Sequence, residues 1–216
     1  MTPLLLALAL AAPPKLTVAH EKADLPADVA EPLRKLFPAE CERLTGDGDT
    51  IAEFWFRAAW PTTATAEQAK NGLTYRELTE GGLLGVARFA KAFTDYRKQE
   101  IPAGVYTLRL AIQPDVGDHK ETAPHTEFLL LSPSAKDISE DALDAKALQK
   151  LSATLTGGDH PAVMLLFPHT GQPGDAKLAT QKDGATTLNV VRPVVVGDVK
   201  ATFGLAVVVA GHSAKR

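Results

Sequence analysis

From residue 51 onward, apolar side chains recur mostly at every second position. In "IAEFWFRAAW", Ala52, Phe54, Phe56, Ala58 and Trp60 share one face, and Ile51, Glu53, Trp55 and Arg57 the other. The alternation is cleaner in "VYTLRLAIQ". There Tyr106, Leu108, Leu110 and Ile112 point inward, and Val105, Thr107, Arg109 and Gln113 point outward. "EFLLL" and "AVMLLF" are apolar runs of strand length. "VKATFGLAVVVAG" sets Phe203, Leu205, Val207 and Val209 on one face. Asp183-Gly184 lies between two alternating runs, a strong short-range signal for a hairpin. Weaker strands are expected at 73–79 and 83–93.

Two stretches break the period of two. In "SAKDISEDALDAKALQKLSATLTGG", Ile138, Ala142, Ala145, Leu148 and Leu151 form one stripe and predict a helix at about 136–155. Asp137, Glu140 and Asp141 crowd its start, where negative charge suits the helix dipole, and Gly157-Gly158 ends it. In residues 27–44, Leu33, Leu36, Phe37, Cys41 and Leu44 have helical spacing, interrupted by Pro32 and Pro38. "KLTVA", earlier still, reads as a short strand, and "TGDGDT" as a turn. The sum is a mainly β chain: an antiparallel β-sandwich, Ig-like or jelly-roll-like, with one or two helical insertions. The sandwich is expected over 50–212, after a linker and helical segment at 12–49 and before a short tail at 213–216.

The N-terminus changes the picture of where the protein resides. Leu4 to Ala12 is continuously apolar but shorter than the roughly 20 residues a membrane-spanning helix needs. Ala9 and Ala11 fit the small-x-small rule for signal-peptide cleavage after Ala11, although the segment before the apolar run has no Lys or Arg. An exported protein, periplasmic or extracellular, is the expectation. Cys41 is the only cysteine, so no intrachain disulfide can form, and its apolar setting predicts a buried thiol. Acids outnumber Lys and Arg 26 to 23 without a basic stripe, which argues against nucleic acid as a partner.

Candidate chemistry is sparse. The chain has no G-x-S-x-G, H-E-x-x-H or P-loop motif, and no G-x-G-x-x-G opening a helix. "GDGDT" resembles the start of a calcium loop through Asp47, Asp49 and Glu53, but a tight turn feeding a strand explains it more simply. Five of the six histidines follow residue 118: His119, His125, His160, His169 and His212. All fall in expected loops or strand ends, and Asp118-His119 and Asp159-His160 place a carboxylate beside an imidazole. Neutral imidazole suits copper or zinc, so His119, His125, His160 and His212 form a candidate metal set. Trp55, beside Glu53 and Arg57, is a candidate exposed aromatic for stacking on a ligand. Glu53, Arg57 and Arg109 could pair across strands.

At "IPAGVYTLRLAIQPDVGDH", "EFLLLSP", "HPAVMLLFP" and "LAVVVAGH" the chain resembles a group of secreted bacterial β-sandwich proteins of unknown function, typical of planctomycete-like and acidobacterial genomes. The resemblance spans roughly residues 50–212 and implies export and fold; it carries no activity or ligand set. The leading expectation is a non-enzymatic exported module that binds a cell-envelope protein or a small ligand through Asp118, His119, His125 and Trp55. The alternatives are a periplasmic copper- or zinc-binding protein, and a hydrolase assembled only in the fold with His119 or His160 as base.

Overall fold

The computed structural model describes residues 15–113, 123–158, 160–169 and 173–212. Twelve strands are present among them: β1 (Leu16–Lys22), β2 (Glu40–Gly46), β3 (Asp49–Phe56), β4 (Leu83–Phe89), β5 (Phe93–Thr94), β6 (Glu100–Ile101), β7 (Gly104–Ile112), β8 (Glu127–Pro133), β9 (Ala162–Phe167), β10 (Lys177–Thr180), β11 (Thr186–Val196) and β12 (Val199–Ala210). The helices are α1 (Glu31–Arg34), α2 (Ala66–Asn71) and α3 (Ala145–Ala153), with a 3₁₀ turn at Tyr75–Glu77. No helix among the described residues is long and apolar enough to cross a membrane.

Ten strands form one antiparallel sheet in the order β1-β2-β3-β4-β7-β8-β9-β12-β11-β10. The protein is mainly β and the sheet curls nearly into a barrel. One continuous sheet thus stands where two stacked sheets were expected. Its concave face is the main core. Phe54, Phe56, Tyr106, Leu108, Leu110, Leu129, Leu131, Met164, Leu188, Val190, Leu205 and Val207 meet there. The inward alternation expected for β7 and β12 is therefore observed. Asp183-Gly184 closes the β10–β11 hairpin, with Gly184 at φ 86°.

The convex face is not bare. Residues 23–37 lie over β3 and β4, where Leu25, Val29 and Leu33 pack on Trp55, Leu83 and Val86. Leu148 of α3 packs with Phe128, Leu130, Val163 and Leu165 of β8 and β9. These covers correct several expectations. The helical reading of 27–44 reduces to one turn at α1; Cys41 and Leu44 belong to β2, facing opposite sides of the sheet. Burial pushes the Cys41 thiol up to about 11 and makes it inert at neutral pH. The 73–79 segment is a 3₁₀ turn with flanking coil, not a strand.

The expected helix at 136–155 starts only at Ala145, with Asp144 as its N-cap, and Ile138 is 64% exposed. The physical reason is Arg109. Its side chain points away from the barrel, as the alternation implied, yet it is fully buried beneath the segment that follows β8. Nε donates to Asp137 Oδ2 at 2.7 Å and Nη2 to Asp137 Oδ1 at 2.8 Å. Nη1 donates to the carbonyls of Gly81 (2.8 Å) and Asp141 (2.9 Å), and Nη2 also to that of Ser139. Every N–H of the guanidinium is used. The Ser139 and Asp141 carbonyls are turned toward the guanidinium rather than along a helix axis, and 137–141 stay non-helical. Gly81, at φ 73°, lets the chain pass Leu143 closely; a Cβ there would lie 1.8 Å from the Leu143 carbonyl oxygen.

Arg109 therefore does not pair with Glu53. Glu53, also buried, takes Arg43 from β2 at 3.0 Å and Arg88 from β4, the residues directly opposite it in register.

Replacing Arg109 with Met leaves the Asp137 carboxylate buried and unpaired, and should cost about 3–5 kcal/mol in denaturant unfolding. Arg88→Met, at a half-exposed side chain whose partner keeps Arg43, should cost under about 1 kcal/mol. Equal losses in the two variants would contradict the role given to Arg109.

Candidate functional site

The described members of the sequence-predicted set do not converge. Asp118 and His119 lie outside the described residues, as does Asp159. His125 precedes β8 and packs edge-on against Phe167, the last residue of β9, at 4.6 Å between ring centroids. His160 sits in an exposed loop before the first residue of β9. His212 follows β12, which runs antiparallel to β9, and its Nδ1 lies 3.2 Å from the carbonyl oxygen of Asp95. His160 and His212 are thus at one end of β9 and His125 at the other, roughly 17–20 Å away at ~3.3 Å per residue. A single site cannot use all three. Among the described residues no group of three His, Cys, Asp or Glu side chains is placed to hold a metal ion.

Trp55 is 1% exposed beneath the 23–37 segment, and its Nε1 donates to the Ala23 carbonyl at 3.0 Å. It is a second-layer core residue rather than a stacking surface. The hydroxyls of Ser134, Ser139 and Ser152 bond to backbone carbonyls at Asp28, Asp141 and Ala162, not to a histidine. In the "GDGDT" turn, Asp47 and Gly48 both have positive φ. Asp47 Oδ1 accepts from the Lys15 amide and Asp49 pairs with Lys91, so the turn carboxylates already have partners.

The polar constellation that the fold does assemble was not singled out by sequence spacing. On β2, Glu40 and Glu42 share a face with Leu44, which belongs to the barrel core. Two carboxylates therefore point to the concave side. His20 of β1 is directly opposite Glu42 in register. Arg192 of β11 opposes Phe203, which packs on the same core, and its guanidinium lies 5.7 Å over the Phe56 ring. The inner face changes here from apolar to charged, at the seam where the first and last strands of the sheet approach each other.

Glu42 is the centre of the group and is 2% exposed. Its Oε1 accepts from Arg192 Nη2 at 3.1 Å and lies 3.1 Å from His20 Nδ1. Its Oε2 is buried without a hydrogen-bond partner. His20 Nε2 is 3.4 Å from Glu40 Oε2, so the imidazole sits between two carboxylates. Beside them opens a pocket of about 340 Å³, lined by His20, Glu40, Glu42, Arg192 and Asp175, with Pro38, Ala58, Gly174, Ala176 and Pro193 as the remaining wall. Three carboxylates face one guanidinium.

A hydrogen bond to Glu42, helped by the charges of Glu42 and Glu40, raises the His20 pKa above its ordinary value of 6.5; partial burial and Arg192 oppose the shift. A second cavity, of about 190 Å³, is lined mainly by apolar side chains such as Phe89, Phe93 and Met164. It holds no comparable polar cluster. Compared with protein-family models, curated proteins and solved structures, the chain shows no match to any.

Because the folded pKa of His20 is raised, its stabilising contribution is complete below the unfolded value near 6.5 and is lost as pH rises through the folded value. An NMR titration of the His20 ring should have its midpoint above 6.5, and Glu42→Gln should move that midpoint down. An unmoved midpoint in the variant would remove Glu42 as the cause.

Proposed function

We propose that the protein is an exported, non-enzymatic binding module of the cell envelope whose ligand enters the seam pocket. One observation carries the choice of site. Glu42 is buried in the pocket wall with one oxygen partnered twice and the other not at all. Leaving a buried polar atom unpaired costs about 1–3 kcal/mol, and more when the group is charged. A fold that keeps such a group beside a cavity favours a missing hydrogen-bond donor as the explanation.

Binding suits the lining better than catalysis. Among the described residues no serine, threonine or cysteine lines the pocket to act as nucleophile, and His20, Arg192 and Glu42 are engaged with one another. The volume lies within the range usual for small-molecule sites. Export rests on the apolar run Leu4–Ala12 and the small residues Ala9 and Ala11 near its end.

The test is a ¹⁵N-edited NMR screen of the full chain against cationic, anionic and neutral small molecules. The expected result is a compound whose shifts cluster at β1, β2 and β11 around His20, Glu42 and Arg192. Glu42→Gln should weaken that compound by about 10–100-fold, the loss of one charge-assisted bond of ~1.5–3 kcal/mol. Shifts confined to the apolar cavity, or none with any compound, would overturn the assignment.

A further inference from the structure

We propose that the ligand of the seam pocket is a short aliphatic diamine, held by its ammonium groups against Glu42, Glu40 and Asp175. This rests on the reading of the pocket as a binding site and specifies what it binds. The first ground is the unpartnered oxygen of Glu42, an acceptor that only a donor can satisfy. A carboxylate or phosphate ligand would bring acceptors to an acceptor and like charge to like charge. The second ground is charge. Glu40, Glu42 and Asp175 outweigh Arg192, so with His20 neutral the pocket has two negative charges in excess, matching a dication. The third is the rest of the wall. Pro38, Ala58, Ala176 and Pro193 are short apolar surfaces suited to a methylene chain between the two charged ends. Ammonium is a better fit than guanidinium, because Arg192 already lies over Phe56 and takes Glu42 Oε1.

His20 holds Oε1 of the carboxylate and Oε2 is shielded from solvent, so the incoming ammonium takes the place of the His20 ring at the Glu42 carboxylate. His20 is the movable partner: its side chain is 46% exposed, against 17% for Arg192. Binding is then in competition with His20 protonation. The charged groups facing the imidazole are Glu40 and Glu42 from β2 and Arg192 from β11; Lys22 lies two residues along β1, opposite Glu40, and Asp175 lies across the pocket. Protonated His20 neutralises the carboxylates the diamine needs, so affinity falls as the pH is lowered.

The test is calorimetry of the full chain with putrescine, butylamine, butanediol and succinate, at about pH 8 and about pH 5.5 on either side of the histidine range. Putrescine should bind at least tenfold more tightly than butylamine, butanediol and succinate should give no heat, and putrescine should weaken at the lower pH. Glu42→Gln should reduce putrescine affinity about tenfold or more, and His20→Asn should remove the pH dependence. Asp175→Asn, a change at the exposed rim that leaves the core intact, should weaken putrescine but not butylamine; it keeps the test valid if the Glu42 variant fails to fold. Butanediol or succinate binding at His20, Glu42 and Arg192 while putrescine is silent would overturn the diamine and leave the binding module standing. No heat with any of the compounds, together with no shift at those residues in the ¹⁵N-edited NMR screen, would overturn both.

Discussion

A guanidinium removed from water must find an acceptor for each of its N–H groups, and Arg109 finds them in two separate parts of the chain. Asp137 supplies its carboxylate, Ser139 and Asp141 their carbonyls, and Gly81, just before β4, a further carbonyl. The segment after β8 is thereby tied over the convex face of the sheet, and Thr107 Oγ1 donates to the same carboxylate at 2.5 Å. That requirement explains why a stretch with good helical periodicity is irregular until Asp144. It also sets where α3 can begin, and with it the patch of β8 and β9 that α3 covers.

The concave face follows a different rule at its two ends. Over most of its length the strands contribute aliphatic and aromatic side chains, and the sheet closes on them because burial is favourable. At the seam the contributions are His20, Glu40, Glu42 and Arg192, and the two ends of the sheet are joined by charge. Trp60 reinforces that junction. Its amide donates to the Pro193 carbonyl at 2.9 Å, and its ring is buried in the core. The same residues thus serve closure of the barrel and the chemistry of its pocket.

Strands were legible where a long apolar face met the barrel core, since period two then survives intact, as in β7 and β12. Alternation assigns a side chain to a face but does not say what covers that face. Trp55 and Arg109 were correctly placed outside the barrel, yet both are buried, one under residues 23–37 and the other under 137–141. Helical spacing at Cys41 and Leu44 was coincidental: a separation of three also puts residues on opposite faces of a strand. That misreading hid Glu40 and Glu42, which share a face only if β2 is a strand. The remaining partners are too distant for any local motif, with His20 22 positions from Glu42 and Arg192 150 positions from it. The histidine cluster drew attention because imidazoles were numerous late in the chain, whereas the one that the fold engages with carboxylates on the concave side lies near the start.

The link between β9 and β12 is short. Only Ala206 with Phe167 and Val207 with Leu166 are in register there, whereas β11 and β12 pair along nearly their whole lengths. The last three strands are therefore joined to the rest of the sheet by few ladder pairs, with Arg192 on their side of the pocket and His20 and Glu42 on the other. Seen this way, the ion pair between Glu42 and Arg192 is a latch. Together with the Trp60 to Pro193 bond, that latch fastens the pocket side of the last three strands to the first ones, where backbone pairing between β9 and β12 is too brief to do so.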